Sequence, residues 1–132
     1  MTRTVLDTSV LIHHWHRSAM SPLEQSTAVD ARIWARKLIR LEDSASIVTP
    51  VLIEMLCGAR NVHELELTKA YLDESRVIDG GRATATDWDE ALRLAQRVPR
   101  DGRPRQLGDC LIRAIATRLK YKVKTFDTGM PR

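Results

Sequence analysis

The chain has 132 residues and a mass of 15.0 kDa, of which 43% are hydrophobic and 29% charged. That balance suits one folded domain over residues 1–132 and excludes a disordered or collagen-like chain; no apolar run reaches the roughly 20 residues of a membrane span. Lys and Arg total 21 against 17 Asp and Glu, for a formal net charge of +4 and a pI near 9.4.

All but five of those 21 cations are arginine, whose planar fork suits phosphate. Charge alone leaves a nucleic-acid partner and an ordinary solvated surface equally open. Val5-Leu6 is too short for a signal-peptide core, and Cys57 and Cys110 show no metal-like spacing, so a cytoplasmic protein is expected. Both cysteines read as small buried fillers.

Thr4-Val5-Leu6 reads as a strand ending at Asp7, followed by a helix from Ser9 through about His16. Residues 22–42 read as helix, because Ala31, Trp34, Ala35, Leu38 and Leu41 recur at spacings of three and four. Ile47-Val48 is strand-like, and Thr49-Pro50 reads as the cap and first position of a helix through Cys57, closed by Gly58. Residues 62–72 form another helical stretch; Val77-Ile78 is a strand stopped by Gly80-Gly81. Thr86 is placed to cap a helix with Trp88, Ala91, Leu92 and Ala95 on one face, and Trp34 and Trp88 read as core. Residues 98–108 carry two prolines and two glycines and read as a loop, before a helix over 109–119 and a strand near 123–126. Short strands alternating with helices predict an α/β domain in three layers, a mainly parallel sheet flanked by helices.

In such a sheet the ligand crevice lies beyond the carboxyl ends of the strands. Four acids fall there or at neighbouring helix starts: Asp7, Glu54, Asp109 and Asp127. Glu54 lies among Val51, Leu52, Ile53, Met55 and Leu56, where a solvated face is hard to draw, and Asp109 shares a face with Ile112 and Ala116. Converging carboxylates repel, and a hard cation such as Mg²⁺ or Mn²⁺ relieves them; so held, it lowers the pKa of a bound water and neutralises charge on a phosphate. Thr8 and Ser9 add hydroxyls beside Asp7. Taken singly, each acid has a plainer reading: helix capping for Asp7 and Asp109, an arginine partner for Glu54, an Asx turn for Asp127. It is their falling together on one edge that favours the cation.

The segments Val5-Leu6-Asp7-Thr8-Ser9-Val10-Leu11-Ile12, Thr49-Pro50-Val51-Leu52-Ile53-Glu54 and Leu107-Gly108-Asp109-Cys110-Leu111-Ile112, in this order and spacing, resemble PIN-domain ribonucleases, and most of all the VapC-type toxins of toxin–antitoxin pairs. The resemblance runs from about residue 4 to 128. It implies a homodimer, hydrolysis of RNA (tRNA or rRNA) with Mg²⁺ or Mn²⁺, and a cognate antitoxin. By motif match Asp7, Glu54 and Asp109 are the metal-centred acids, with Asp127 the fourth in a looser position. Members commonly continue past that acid with further apolar residues, where this chain has Met130-Pro131-Arg132.

Arg97, Arg100, Arg103 and Arg105 precede Asp109 and are placed to guide RNA phosphates toward the acids. His13, His14 and His16 around Trp15 read as partly exposed helix surface; they also supply a rival, a cation-independent ribonuclease using histidine as acid and base. Trp15 is left open as a groove residue. Two further alternatives are a degenerate domain acting as a binding module in a DNA-bound complex and a housekeeping RNA-processing nuclease.

Overall fold

A computed structural model describes residues 3–19, 22–97, 104–127 and 130–131. These form an α/β fold in which a four-stranded, all-parallel sheet is flanked by six helices. The strands are β1 (Thr4–Leu6), β2 (Ser46–Ile47), β3 (Arg76–Val77) and β4 (Lys122–Lys124). The helices are α1 (Thr8–Ser18), α2 (Ala28–Glu42), α3 (Thr49–Cys57), α4 (Val62–Asp73), α5 (Ala85–Ala95) and α6 (Leu107–Arg118). The expected helix over 22–42 is split: a 3₁₀ turn, Leu23–Gln25, precedes α2, and Thr27 begins α2 with a capping box to Asp30. Among the described residues no helix is long and apolar enough to cross a membrane.

Strand order is β3-β2-β1-β4, with Val5 opposite Ser46 on one side and Val123 on the other. The chain steps outward twice and then returns past its starting strand, so the topological switch lies between β1 and β4, the place where such sheets open a crevice. The central strand is wholly buried at Val5 and Leu6, and the core continues through Val10, Leu11, Leu38, Ile47 and Ile112. Trp15, Trp34 and Tyr71 meet edge to face in that core, and Tyr71 donates its hydroxyl to the Leu11 carbonyl at 2.9 Å. Trp34 is core as expected, and Trp15 leans on it.

Several sequence readings shift by a turn. Thr49 is the first residue of α3, not its cap; Val48 holds the cap position and Asp79, from beyond β3, accepts from the Thr49 amide at 3.0 Å and its hydroxyl at 2.7 Å. Gly80 and Gly81 follow at φ +62 and +75, a left-handed turn that β-carbons would strain. Thr84, rather than Thr86, caps α5, in a reciprocal box with Asp87. Asp87 also takes Arg118 at 2.7 and 3.0 Å, tying the start of α5 to the end of α6.

That clamp rotates α5. Asp87, Ala91 and Leu94 face inward, packing with Cys110, Leu111 and Ala114 of α6. Trp88, expected in the core, is 51% exposed, and Leu92 64%. Cys57, expected buried, is exposed; Cys110 is buried. After β4 the chain folds back, burying Met130, while Arg113 donates to the Pro131 carbonyl at 2.7 Å.

Candidate active site

Asp7 leaves β1 at the switch between β1 and β4 and holds the cap position of α1, but its side chain makes no capping bond. The plain capping reading of this acid is therefore not the one the fold uses. It is 2% exposed, and its two oxygens differ. Oδ2 accepts from Ser9 Oγ at 2.9 Å and from Thr125 Oγ1 at 2.7 Å. Oδ1 is buried and, among the described residues, has no hydrogen-bond partner. An orphaned carboxylate oxygen is costly in a protein interior unless something positive meets it.

The two hydroxyls are themselves held. Ser9 Oγ accepts the Phe126 amide at 3.0 Å, and Thr125 Oγ1 accepts the Asp127 amide at 2.9 Å. Each therefore has its proton free to point at Asp7. Thr125 drew no role from sequence; the signal was a hydroxyl two residues from an acid just past a strand, the same relation Ser9 has to Asp7.

Glu54 rides on α3, whose fully buried positions are Val51 and Met55, four apart. The side chain is exposed, so α3 does have a solvated face, against expectation: Val51 and Met55 are buried, while Ile53, Glu54 and Cys57 face outward. Its carboxylate is nonetheless aimed, taking a bond from Thr8 Oγ1 at 3.0 Å. Partial burial raises its pKa, the Thr8 bond lowers it and Asp7 raises it, with a net upward shift. Among the described residues no arginine, the plainer reading of this residue, pairs with it.

Asp109 lies in the first turn of α6, 7% exposed. Burial, then the charges of Asp7, Asp127 and Glu54, then a bond shared with Asp127, push its pKa up to about 7. One carboxyl thus senses the other three. Asp127 is half-buried just beyond Thr125. The acids do not close into a cage: among the described residues no three acidic, His or Cys side chains are gathered tightly enough to hold an ion unaided.

The donor set fits a hard divalent cation. All the facing groups are carboxylate or hydroxyl oxygens, one of them buried without a partner, and their mutual repulsion is what such an ion relieves. Glu54 borders two open grooves. One, of about 550 Å³, runs past Trp15, His16, Met55 and Arg60; the other, about 470 Å³, runs past Ile53, Trp88, Leu107 and Leu111.

The PIN-domain family matches residues 4–132. The chain is a PIN-domain protein. PIN domains are in general metal-dependent nucleases and typically use divalent cations such as Mg²⁺, which makes hydrolysis the general class of chemistry for this one. No match is found among curated proteins or among solved structures.

The other expected residues of this PIN-domain protein are placed variously. Arg105 Nε donates to the Arg97 carbonyl at 3.3 Å, so these two lie together ahead of α6. Arg100 and Arg103 lie outside the described residues. His14, expected on partly exposed surface, is buried and bonded to Glu42 at 2.7 Å, an acid distant in sequence and supplied by α2. His13 is exposed and stacks edge-on against Phe126, ring centres 4.8 Å apart.

Proposed function

We propose that this PIN-domain protein is an endoribonuclease, the VapC-type toxin of a toxin–antitoxin pair, acting on tRNA or rRNA. The observation that carries the nuclease reading is the buried Oδ1 of Asp7, without a hydrogen-bond partner among the described residues, together with Asp109, whose pKa is raised by burial and by the charges of Asp7, Asp127 and Glu54. Asp7, Glu54, Asp109 and Asp127 would hold one or two Mg²⁺ or Mn²⁺ ions. A cation so held supplies neutralisation of phosphate charge and a more acidic bound water.

The chain's own part is positioning. Ser9 and Thr125 fix Asp7 through Oδ2, so that Oδ1 is turned to the centre. Thr8 aims the Glu54 carboxylate. Arg97 and Arg105, with Arg100 and Arg103, supply positive charge along the approach of the RNA backbone. The order and spacing of the three motifs support the toxin role, and with it a homodimer silenced by a cognate antitoxin.

The histidine alternative loses His14, which is committed to Glu42 inside the fold, while His13 and His16 stay exposed. The test is cleavage of mixed tRNA and rRNA by purified protein with Mg²⁺ or Mn²⁺, with EDTA, and with Asp7→Asn and Asp109→Asn. Cation-dependent cutting lost in both variants, leaving 5′-phosphate downstream, is expected. Cutting that survives EDTA and leaves 2′,3′-cyclic ends would overturn it. For the toxin role, expression alone should arrest growth and co-expression of a small neighbouring gene should relieve it.

A further inference from the structure

Gly108 sits at the second position of α6, immediately before Asp109. Glycine is a poor choice inside a helix, costing stability relative to alanine through backbone entropy. No left-handed φ calls for it here, since the glycines with positive φ are Gly80 and Gly81. The reason lies across the site. A β-carbon on Gly108 would stand 3.0 Å from Glu54 Cδ, 3.0 Å from Oε1 and 3.1 Å from Oε2. Three near-equal distances mean that the carboxylate lies flat over the Cα of Gly108, closer than a methyl group comfortably allows.

We infer that Gly108 is a positioning residue for Glu54: its missing side chain is the space that lets the Glu54 carboxylate lie against the first turn of α6, beside Asp109. The inference rests on the reading of these acids as a cation-binding centre and adds the residue that leaves room for one of them. Thr8 Oγ1 holds Glu54 Oε1 at 3.0 Å, and Gly108 bounds the same carboxylate on the α6 side. A methyl group at 108 would press on the end of a flexible, exposed side chain rather than on backbone, so the helix can accept it while the carboxylate must give by a few tenths of an ångström. The helix preference for alanine and the seating of Glu54 are thus opposed at one position.

The test is Gly108→Ala, with Gly108→Val as a larger step, read by calorimetric titration with Mn²⁺, by thermal melting without metal, and by a crystal structure of the alanine variant. Gly108→Ala should melt at or above the wild-type temperature yet bind Mn²⁺ about tenfold more weakly, as changes just outside a ligand shell do. Valine should weaken binding further. In a Glu54→Asp background, where the carboxylate is withdrawn by one methylene, the added methyl should cost nothing more in Mn²⁺ affinity. Wild-type Mn²⁺ affinity in Gly108→Ala, or an alanine variant in which the Glu54 carboxylate has not moved, overturns the role of Gly108. If the wild type binds no Mn²⁺, or binds it equally after Asp7→Asn and Glu54→Gln, the cation reading fails instead. The crystal structure then still decides Gly108, by whether the Glu54 carboxylate has moved off Thr8.

Discussion

Ser9 and Thr125 each donate a hydroxyl proton to the same oxygen of Asp7 while accepting a backbone N–H from the segment after β4. This asymmetry leaves Oδ1 to the site. Thr125→Val keeps the shape but drops the bond, so Mn²⁺ affinity should fall about tenfold and stability by about 1–2 kcal/mol; Thr125→Ser should preserve both in titration calorimetry and denaturant melts. Asp109 carries the opposite kind of cost. Its unfolded carboxyl has the ordinary value of 3.8 and its folded one about 7, so folding takes up a proton between those limits. Stability from this group is therefore full below pH 4 and lost as pH rises through 7. Asp109→Asn, which cannot ionise, should melt higher than the metal-free wild type at pH 8 and no higher at pH 4. A site acid whose removal stabilises the fold is what strain held for function predicts; equal melting at both pH values would remove the argument.

At the scale of elements, most helices were readable from apolar spacing, while caps and faces were not. Thr86 is the cap the sequence suggests, but Thr84 takes that place, with Asp87 as its partner at the third helical position. Asp87 then decides which side of α5 faces in. Its side chain is fully buried, which raises its pKa; the Arg118 bonds and the Thr84 amide outweigh that and hold it below the usual range. The clamp thus contributes stability above about pH 4 that disappears as pH falls through the depressed value. Arg118→Met should cost about 2–3 kcal/mol at pH 7, because a buried carboxylate loses its partner, and clearly less at pH 3; urea unfolding at the two pH values measures it. His14 teaches the same lesson, since the acid that pairs with it comes from another helix, 28 residues away in sequence.

For the whole molecule, the order β3-β2-β1-β4 sets Asp7 and Asp127 on neighbouring strand ends and brings α3 and α6 up beside them. The positive charge ahead of α6 belongs to this scale, because under the proposed function it would act on RNA before any contact with the acids. Arg97→Glu with Arg105→Glu should weaken RNA binding about tenfold at low salt and flatten the log–log salt slope by roughly two, leaving Mn²⁺ affinity unchanged. Filter binding over a salt series reads this, and an unaltered slope would place the RNA path elsewhere. Light scattering tests the proposed homodimer, expected at about twice 15.0 kDa.

Local patterning was enough to determine the α/β class and the parallel sheet, and to single out four acids as candidates, because strand and helix periods and an acid after an apolar run are properties of neighbours in the chain. What the tertiary structure decided concerns groups far apart in sequence. It chose which oxygen of Asp7 is left over, through a threonine 118 residues away. It turned Glu54 and Trp88 outward, because α3 buries only Val51 and Met55 and α5 packs its Ala91–Leu94 side against α6. It also made Gly108 meaningful, since the space beside a glycine is defined only by what packs against it.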